Sequence, residues 1–407
     1  MRRSTVRFDN GRGALLDGRL ELPVGPPRGA VLFAHCFTCG KDLPAAEVIA
    51  DAFVEAGIAV LRFDFTGIGR SGGDHAETSF VTQVEDLEAA AGALRDRLGR
   101  CDALLGHSLG GAAVLQAAGR IEDVRAVVTV GAPAEPGHVL RLLRTEPGEI
   151  ERIGVGAVEI AGRRFRIGRR FFDDLDRVNM ERAIAGLRRP LLVMHAPLDE
   201  VVGIDNAARI FQAAKHPKSF LSLEGADHLL RRPRDARYAG VMAAAFVAEH
   251  LPAEREGDPT SVHLRIGRRR YRTEVAVGGH RFVADEPREA GGGGLGPGPY
   301  ELVAAGLGAC TAMTLRMYAD RKGIDLDEVE VSLAHEKRHV EDARACESPR
   351  AGKVDHIERR IVVRGALSDA DLARLAEIAD KCPVHRTLAH CVRIGTTVEH
   401  DGGEDGG

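Results

Sequence analysis

The sequence contains no tryptophan, and aromatic residues make up only 4% of its 407 positions. A surface that works by stacking bases on aromatic rings has little here to be built from. An excess of one charge is missing too, because 56 Lys and Arg stand against 60 Asp and Glu, a formal net charge of -4. That balance gives no electrostatic reason to expect nucleic acid or an anionic membrane as partner. No apolar run reaches the ~18 residues of a membrane helix. The N-terminus, MRRSTVRFDNGRGALLDGRLELP, starts basic but leads into no apolar core or small-residue cleavage site, so no signal peptide is read. Seven cysteines, an odd number spread unevenly, are not the framework of a disulfide-stapled secreted domain. The expectation is a cytoplasmic protein with reduced thiols, one or two of them reactive.

What is present reads as a globular chain, 44% hydrophobic and 29% charged, long enough for two or three domains. In the first half, short branched-chain runs bounded by turn signals predict strands at 30–34, 59–63, 103–106, 126–130, 191–195 and 219–223. Helical stretches at 45–55 and 83–98 lie between them, the pattern of a parallel sheet covered on both faces. The rhythm breaks over about 134–189, which reads as an insertion forming a lid over one end of the sheet. Its arginines (Arg163, Arg164, Arg166, Arg169, Arg170) suit either an anionic group or a solvated basic face.

The polar stretch 252–260 (PAEREGDPT) predicts a linker, and 401–407 a disordered tail. Between them the pattern is α+β. Gly278-Gly279 joins 271–277 to 280–284 as a hairpin. A glycine-rich run leads into a helix over 300–321, apolar nearly all round and therefore expected at the buried centre of its domain. Strands at 329–334 and 359–365 and a helix at 369–380 follow.

Residues 103–113, ALLGHSLGGAA, place Gly106-His107-Ser108-Leu109-Gly110 between a strand and a small-residue helix. A GxSxG in that setting is a nucleophile elbow, where bulkier flanking residues would clash. A serine hydroxyl needs a base, and the base needs an orienting carboxylate. Asp199 follows the strand LLVMH and His228 follows SFLSL, both in loops where such groups are required; Asp205 is the alternative acid. The oxyanion of a tetrahedral intermediate needs amide donors: that of Leu109, and a second from the loop His35-Cys36-Phe37-Thr38, either Phe37 or Cys36. Cys36 and Cys39 form a CxxC without the second pair a structural zinc would want, leaving a redox or a packing role.

These segments resemble the α/β-hydrolase superfamily over about residues 1–251, with Cys36 replacing the glycine of its His-Gly-X loop. The segment 63–71 (FDFTGIGRS) also matches it, as scaffold that shapes a turn. The resemblance implies hydrolysis of an ester, amide or thioester, without naming the small acyl substrate.

Residues 299–317 (PYELVAAGLGACTAMTLRM) and 380–387 (DKCPVHRT) resemble the central helix and second-cysteine segment of the OsmC/Ohr family, covering roughly 261–400. The resemblance implies a peroxidatic Cys310, a second cysteine Cys382, an organic hydroperoxide as substrate, an external dithiol reductant and an intertwined homodimer. It implies no cofactor or metal. Mid-helix, Cys310 gains little from the helix dipole, so its thiolate needs a cation, for which Arg272, Arg281 and Arg386 are candidates. Where hydroperoxide-resistance members carry a glutamate that holds an activating arginine, this chain has Tyr300. Glu301 follows one residue later, rotated by ~100° on a helix. The alternative is an inert thiol in a dimerisation domain. Cys101, Cys346 and Cys391 carry no motif.

Overall fold

The computed structural model describes residues 2–35, 40–137, 155–160, 163–175, 178–252, 262–268, 270–339, 353–390 and 392–399. The predicted linker, apart from Pro252, and the predicted tail lie outside these residues, as do Cys36, Phe37, Cys39, Cys346 and Cys391. The chain divides into two compact units, Met1–Arg269 with Thr273–Phe282, and Arg270–Arg272 with Val283–Gly407.

The first unit is an eight-stranded sheet built from β1 (Arg2–Asp9), β2 (Leu15–Leu22), β3 (Gly29–Ala34), β4 (Ile58–Phe63), β5 (Ala103–His107), β6 (Ala126–Val130), and two strands after the insertion, Leu191–His195 and Lys218–Ser222. The strand pairing from β3 onward is parallel, while β1, β2 and β4 pair antiparallel. The alternation along each central strand explains why both faces are covered. Val31, Phe33, Val60, Leu105 and Val128 pack on one face against Ile49 and Phe53 of α1 (Pro44–Glu55). Leu32, Leu61, Leu104 and Val127 pack on the other against Leu87 and Ala90 of α2 (Phe80–Leu98) and Ala113 and Val114 of α3 (Leu109–Ala117). Each such side chain contributes about 1.5–3 kcal/mol when fully buried.

In spatial order β3 lies between β4 and β5, so the winding of the sheet reverses there. In such sheets the loops at the carboxyl ends of the two strands flanking the reversal part and leave a crevice. One loop begins at His35, the other carries Ser108.

The insertion after β6 contains an antiparallel hairpin, β7 (Val155–Ile160) with β8 (Arg163–Gly168), then α4 (Arg169–Leu175) and α5 (Met180–Ala185). It is fastened by Phe171, which is buried, and by the Asp174 carboxylate, which accepts the Ser79 hydroxyl proton. Ser79 caps α2 in a reciprocal box with Thr82, so this carboxylate also sits at a helix N-terminus, where negative charge is stabilised. The sheet then resumes with β9 (Leu191–His195), α6 (Asp205–Ala213), β10 (Lys218–Ser222) and α7 (Pro233–Glu249).

A three-stranded sheet follows: β11 (Val262–Ile266), β12 (Thr273–Val277) and β13 (His280–Ala284). Gly278 and Gly279 both have positive φ, 51° and 87°, as a two-residue hairpin turn of this hand demands. The second unit is built on α8 (Pro299–Lys322), the long hairpin β14 (Leu326–His339) with β15 (Lys353–Gly365), α9 (Asp369–Ala379) and the short α10 (Pro383–Ala389). Its core is small: Leu315, Ala319, Leu326, Leu375, Ile378 and Ala379.

Within one chain α8 buries a single stripe (Leu307, Gly308, Thr311, Leu315, Ala319), against the expectation that it is enclosed all round. Its neighbours β14, α9 and α10 cover one side, whereas Tyr300, Val303, Met313 and Met317 stay exposed. By length and composition α8 would also suffice to cross a membrane, with mean hydropathy 1.3 over its best window. Polar residues interrupt it, so it escapes a search for an unbroken apolar run.

Candidate active sites

Ser108 sits between β5 and α3 with φ 56° and ψ -128°, a strained conformation for a residue with a side chain. The flanking glycines explain how the turn is tolerated. A Cβ at Gly106 would stand 2.3 Å from the Gly110 carbonyl oxygen, and one at Gly110 would stand 2.4 Å from that of His35. Only hydrogen fits between the elbow and the end of β3.

The structure brings Ser108, His228 and Asp199 together from three loops. His228 Nε2 lies 3.0 Å from Ser108 Oγ, and His228 Nδ1 lies 2.7 Å from Asp199 Oδ2. A carboxylate only accepts, so Nδ1 carries the proton and the Nε2 lone pair faces the serine. Asp199 Oδ1 meanwhile accepts the amides of Val201 and Val202, at 2.9 Å each. Burial pushes the Asp199 carboxyl up, but its bonds to His228, Val202 and Val201 outweigh this and hold it below the usual carboxylate range. Asp205, the alternative acid, sits in the first turn of α6 and is not the partner of His228.

Two further histidines, missed by the sequence reading, brace this arrangement. His107 Nε2 donates to the His228 carbonyl oxygen at 2.7 Å, and His195 Nε2 donates to that of Val202 at 2.8 Å. Burial pushes His107 down to about 3, with the nearby His228 adding to it, and burial likewise lowers His195. Both are neutral struts at ordinary pH. The signal was the histidine inside the GxSxG itself and the one ending β9, but nothing in the sequence says that each reaches a carbonyl.

Leu109 opens α3, and its amide belongs to the first turn, which has no intrahelical acceptor. Phe37 and Cys36 lie outside the described residues, but both ends of their loop are pinned. At one end the His35 carbonyl lies against Gly110. At the other, Lys41 Nζ binds Asp17 at 2.6 Å and Asp64 at 2.5 Å, and Asp64 also accepts the Lys41 amide. Asp64 accepts the Arg70 amide as well, so the segment 63–71 is tied to the loop it was expected to shape.

In the second unit the two cysteines meet. Cys382 is fully buried, and its sulfur receives hydrogen bonds from the His385 amide (3.3 Å), the Thr311 hydroxyl (3.7 Å) and the Cys310 thiol. Burial raises its thiol, but the His385, Thr311 and Cys310 bonds outweigh that and hold it below the ordinary range. The cation here is none of the three expected. Arg359 of β15 donates to Thr311 Oγ1 at 2.9 Å. Arg281 instead gives its guanidinium to the carbonyls of Val24 and Pro26, and Arg386 is exposed. Arg272 is half-buried. Glu301 accepts the Gly298 amide at 2.8 Å, a helix cap rather than an arginine's partner. Tyr300 stacks on His335, centroids 4.1 Å apart, with Lys337 over the ring. Cys101 is buried and pushed up to about 12, a packing thiol. Among the described residues no three His, Cys, Asp or Glu side chains converge as a metal site requires.

Residues 31–290 match the family model described as alpha/beta hydrolase family. The chain belongs to that family. Residues 291–397 match a second family model, OsmC-like protein. A solved esterase domain from a Rhodothermus marinus protein is 47% identical, with TM-score 0.54, covering 62% of this chain and all of that one. Est1E of Butyrivibrio proteoclasticus, solved with ferulic acid, shares the fold at 19% identity and TM-score 0.53, covering 60% of this chain and 98% of its own. The monoacylglycerol lipase of Mycolicibacterium smegmatis is 30% identical over 118 residues, 28% of this chain and 41% of the lipase. The chain thus spans about two-fifths of the length of the curated relatives it matches.

Proposed function

We propose that the protein is a bifunctional enzyme: a serine esterase acting through Ser108, His228 and Asp199, joined to a thiol peroxidase acting through Cys310 and Cys382. The observation that carries the first half is the unbroken hydrogen-bond chain from Ser108 Oγ through His228 to Asp199. In the reaction His228 Nε2 takes the serine proton as Oγ attacks the acyl carbon. The Leu109 amide, with a donor from the pinned loop at Phe37 or Cys36, receives the developing oxyanion. His228 returns the proton to the leaving alcohol, and water then releases the acid by the same route. Asp199 keeps the imidazole tautomer fixed and stabilises the imidazolium. The identity to an esterase domain favours a carboxylic ester over a thioester or amide.

In the second half, a Cys310 thiolate attacks the O–O bond of an organic hydroperoxide, giving a sulfenic acid and an alcohol. Cys382 condenses with it to a disulfide, releasing water, and a dithiol restores both thiols. The contact between the two sulfurs supports this pairing. The exposed apolar side of α8 supports a homodimer that covers it. A second reading, a hydrolase whose OsmC-like domain only dimerises, is favoured by Tyr300 at the expected glutamate position.

A fluorophosphonate probe should label wild type at Ser108 and leave Ser108→Ala unlabelled. Dimedone added with cumene hydroperoxide should tag Cys310. Labelling at another serine sinks the first half, and no sulfenic acid on intact protein leaves the second reading in place.

A further inference from the structure

We propose that α7 carries a self-pairing surface, which docks antiparallel on α7 of a second copy of this chain. The proposal is independent of either activity, and the surface is separate from the exposed side of α8.

The inner side of α7 holds it firmly. Ala236, Ala239, Gly240, Ala243 and Ala244 are buried, and they are small enough for the helix to lie close on α1. A Cβ at Gly240 would stand 2.9 Å from Ile49 Cα. The outer side is not that of an ordinary surface helix. Tyr238, Val241 and Met242 are 47%, 44% and 36% exposed, and Ala245 is exposed beside them. Single exposed apolar side chains need no explanation, but these recur at i, i+3, i+4 and i+7 and form one stripe. At about 100° per residue Arg234 and Glu249 fall on the same stripe, one at each end, and both are exposed.

The two charges oppose their own helix. Arg234 stands in the first turn, where the helix end is positive, and Glu249 closes the last turn, where it is negative. Arg234 Nε lies 3.5 Å from Asp235 Oδ1, but that carboxylate already binds Arg232 at 2.6 Å. In an antiparallel pair each charge reaches the opposite end of the other helix, where its sign is stabilising.

One register suits every position on the stripe. A two-fold axis between Val241 and Met242 sets Val241 against the partner's Met242, Tyr238 against the partner's Ala245, and Arg234 against the partner's Glu249. Large then meets small and cation meets carboxylate, as a contact between identical surfaces requires. The stripe is about 22 Å long, so the contact is small and weak by itself.

The test is cross-linking of the full-length protein with a short bismaleimide after Met242→Cys, read by peptide mass spectrometry. A link joining two copies of position 242 can come only from two chains. Its yield should exceed that of the corresponding link after Lys215→Cys, which puts an exposed thiol off the stripe. Arg234→Glu and Glu249→Arg should each cut the yield at 242 about tenfold at low salt, because each reversal turns two symmetry-related attractions into repulsions. Combined, they should restore it. Both reversals suit the charges to their own helix ends, so Tm should hold or rise, and a lost yield reports the contact rather than the fold. A yield at 242 no higher than at 215, one unmoved by the single reversals, or a double variant that stays low overturns the proposal. A link from 242 to another position of the chain, in place of the 242–242 link, gives the stripe a different occupant and also overturns it. Neither ester nor hydroperoxide turnover enters this readout, so absence of either activity with the cross-link intact overturns that activity alone.

Discussion

Replacing Asp199 by asparagine tests the esterase mechanism at the atom that matters most. The carboxylate makes two kinds of contact: Oδ1 accepts two backbone amides and Oδ2 accepts His228 Nδ1–H. An asparagine has one oxygen, and the Val201 and Val202 amides require it, since a buried N–H left unpaired costs about 1–3 kcal/mol. The NH2 is thereby forced toward His228 and can only donate. Nδ1 must then become an acceptor, and the imidazole proton moves to Nε2, 3.0 Å from Ser108 Oγ. The base now presents a proton where it must accept one. The same tautomer reversal in a Ser-His-Asp enzyme lowers kcat about 10⁴-fold, equivalent to about 5 kcal/mol of barrier. The assay is kcat/KM for p-nitrophenyl acetate across pH, with circular dichroism to show that the fold is kept. A loss of less than about tenfold in a folded variant would refute the reasoning.

Other consequences are independent of substrate. His107 is held near 3 when folded against 6.5 for its ordinary value, so between those values the unfolded chain binds the extra proton. Stability from this group is complete above pH 6.5 and falls as pH drops, by about 3 kcal/mol at pH 4.5. His107→Gln should flatten the fall in urea midpoint between pH 7 and 4.5; an unchanged slope would show that the group does not titrate this way. Gly110→Ala puts a methyl into the His35 and Ala34 carbonyls, at 2.4 and 2.6 Å. Ester turnover should collapse and Tm fall by the equivalent of about 1–3 kcal/mol, and full activity would mean the elbow is looser than described. Lys41→Met removes the buried ammonium that pairs with both Asp17 and Asp64 and should cost about 3–5 kcal/mol by urea unfolding, where a neutral result would contradict the buried network.

The sheet and the serine site were legible because their signals are local. Branched runs such as AVLFA and AVLRF leave few alternatives, and GHSLG between a strand and a small-residue helix is set by steric clashes that only glycine avoids. The strands β1 and β2 went unread because their apolar residues are interleaved with arginines and a glycine, and only pairing, β1 with β2 and β2 with β4, makes them strands. The thiol site was half legible. Its cysteines lie in recognisable segments, but Thr311 meets Cys382 across 71 residues and Arg359 across 48, contacts that packing of α8, β15 and α9 creates. Arg281 and Glu301 misled for the same reason: a charged side chain near a motif has closer claims on it, here backbone carbonyls and a helix cap.

The central claim, two separate chemistries on one chain, is tested most directly by measuring ester hydrolysis and dithiol-dependent cumene hydroperoxide consumption on wild type, Ser108→Ala and Cys310→Ser. The account predicts that wild type does both and that each substitution abolishes one activity and spares the other. Wild type that hydrolyses ester but never consumes hydroperoxide, or a hydroperoxide rate untouched by Cys310→Ser, would contradict it.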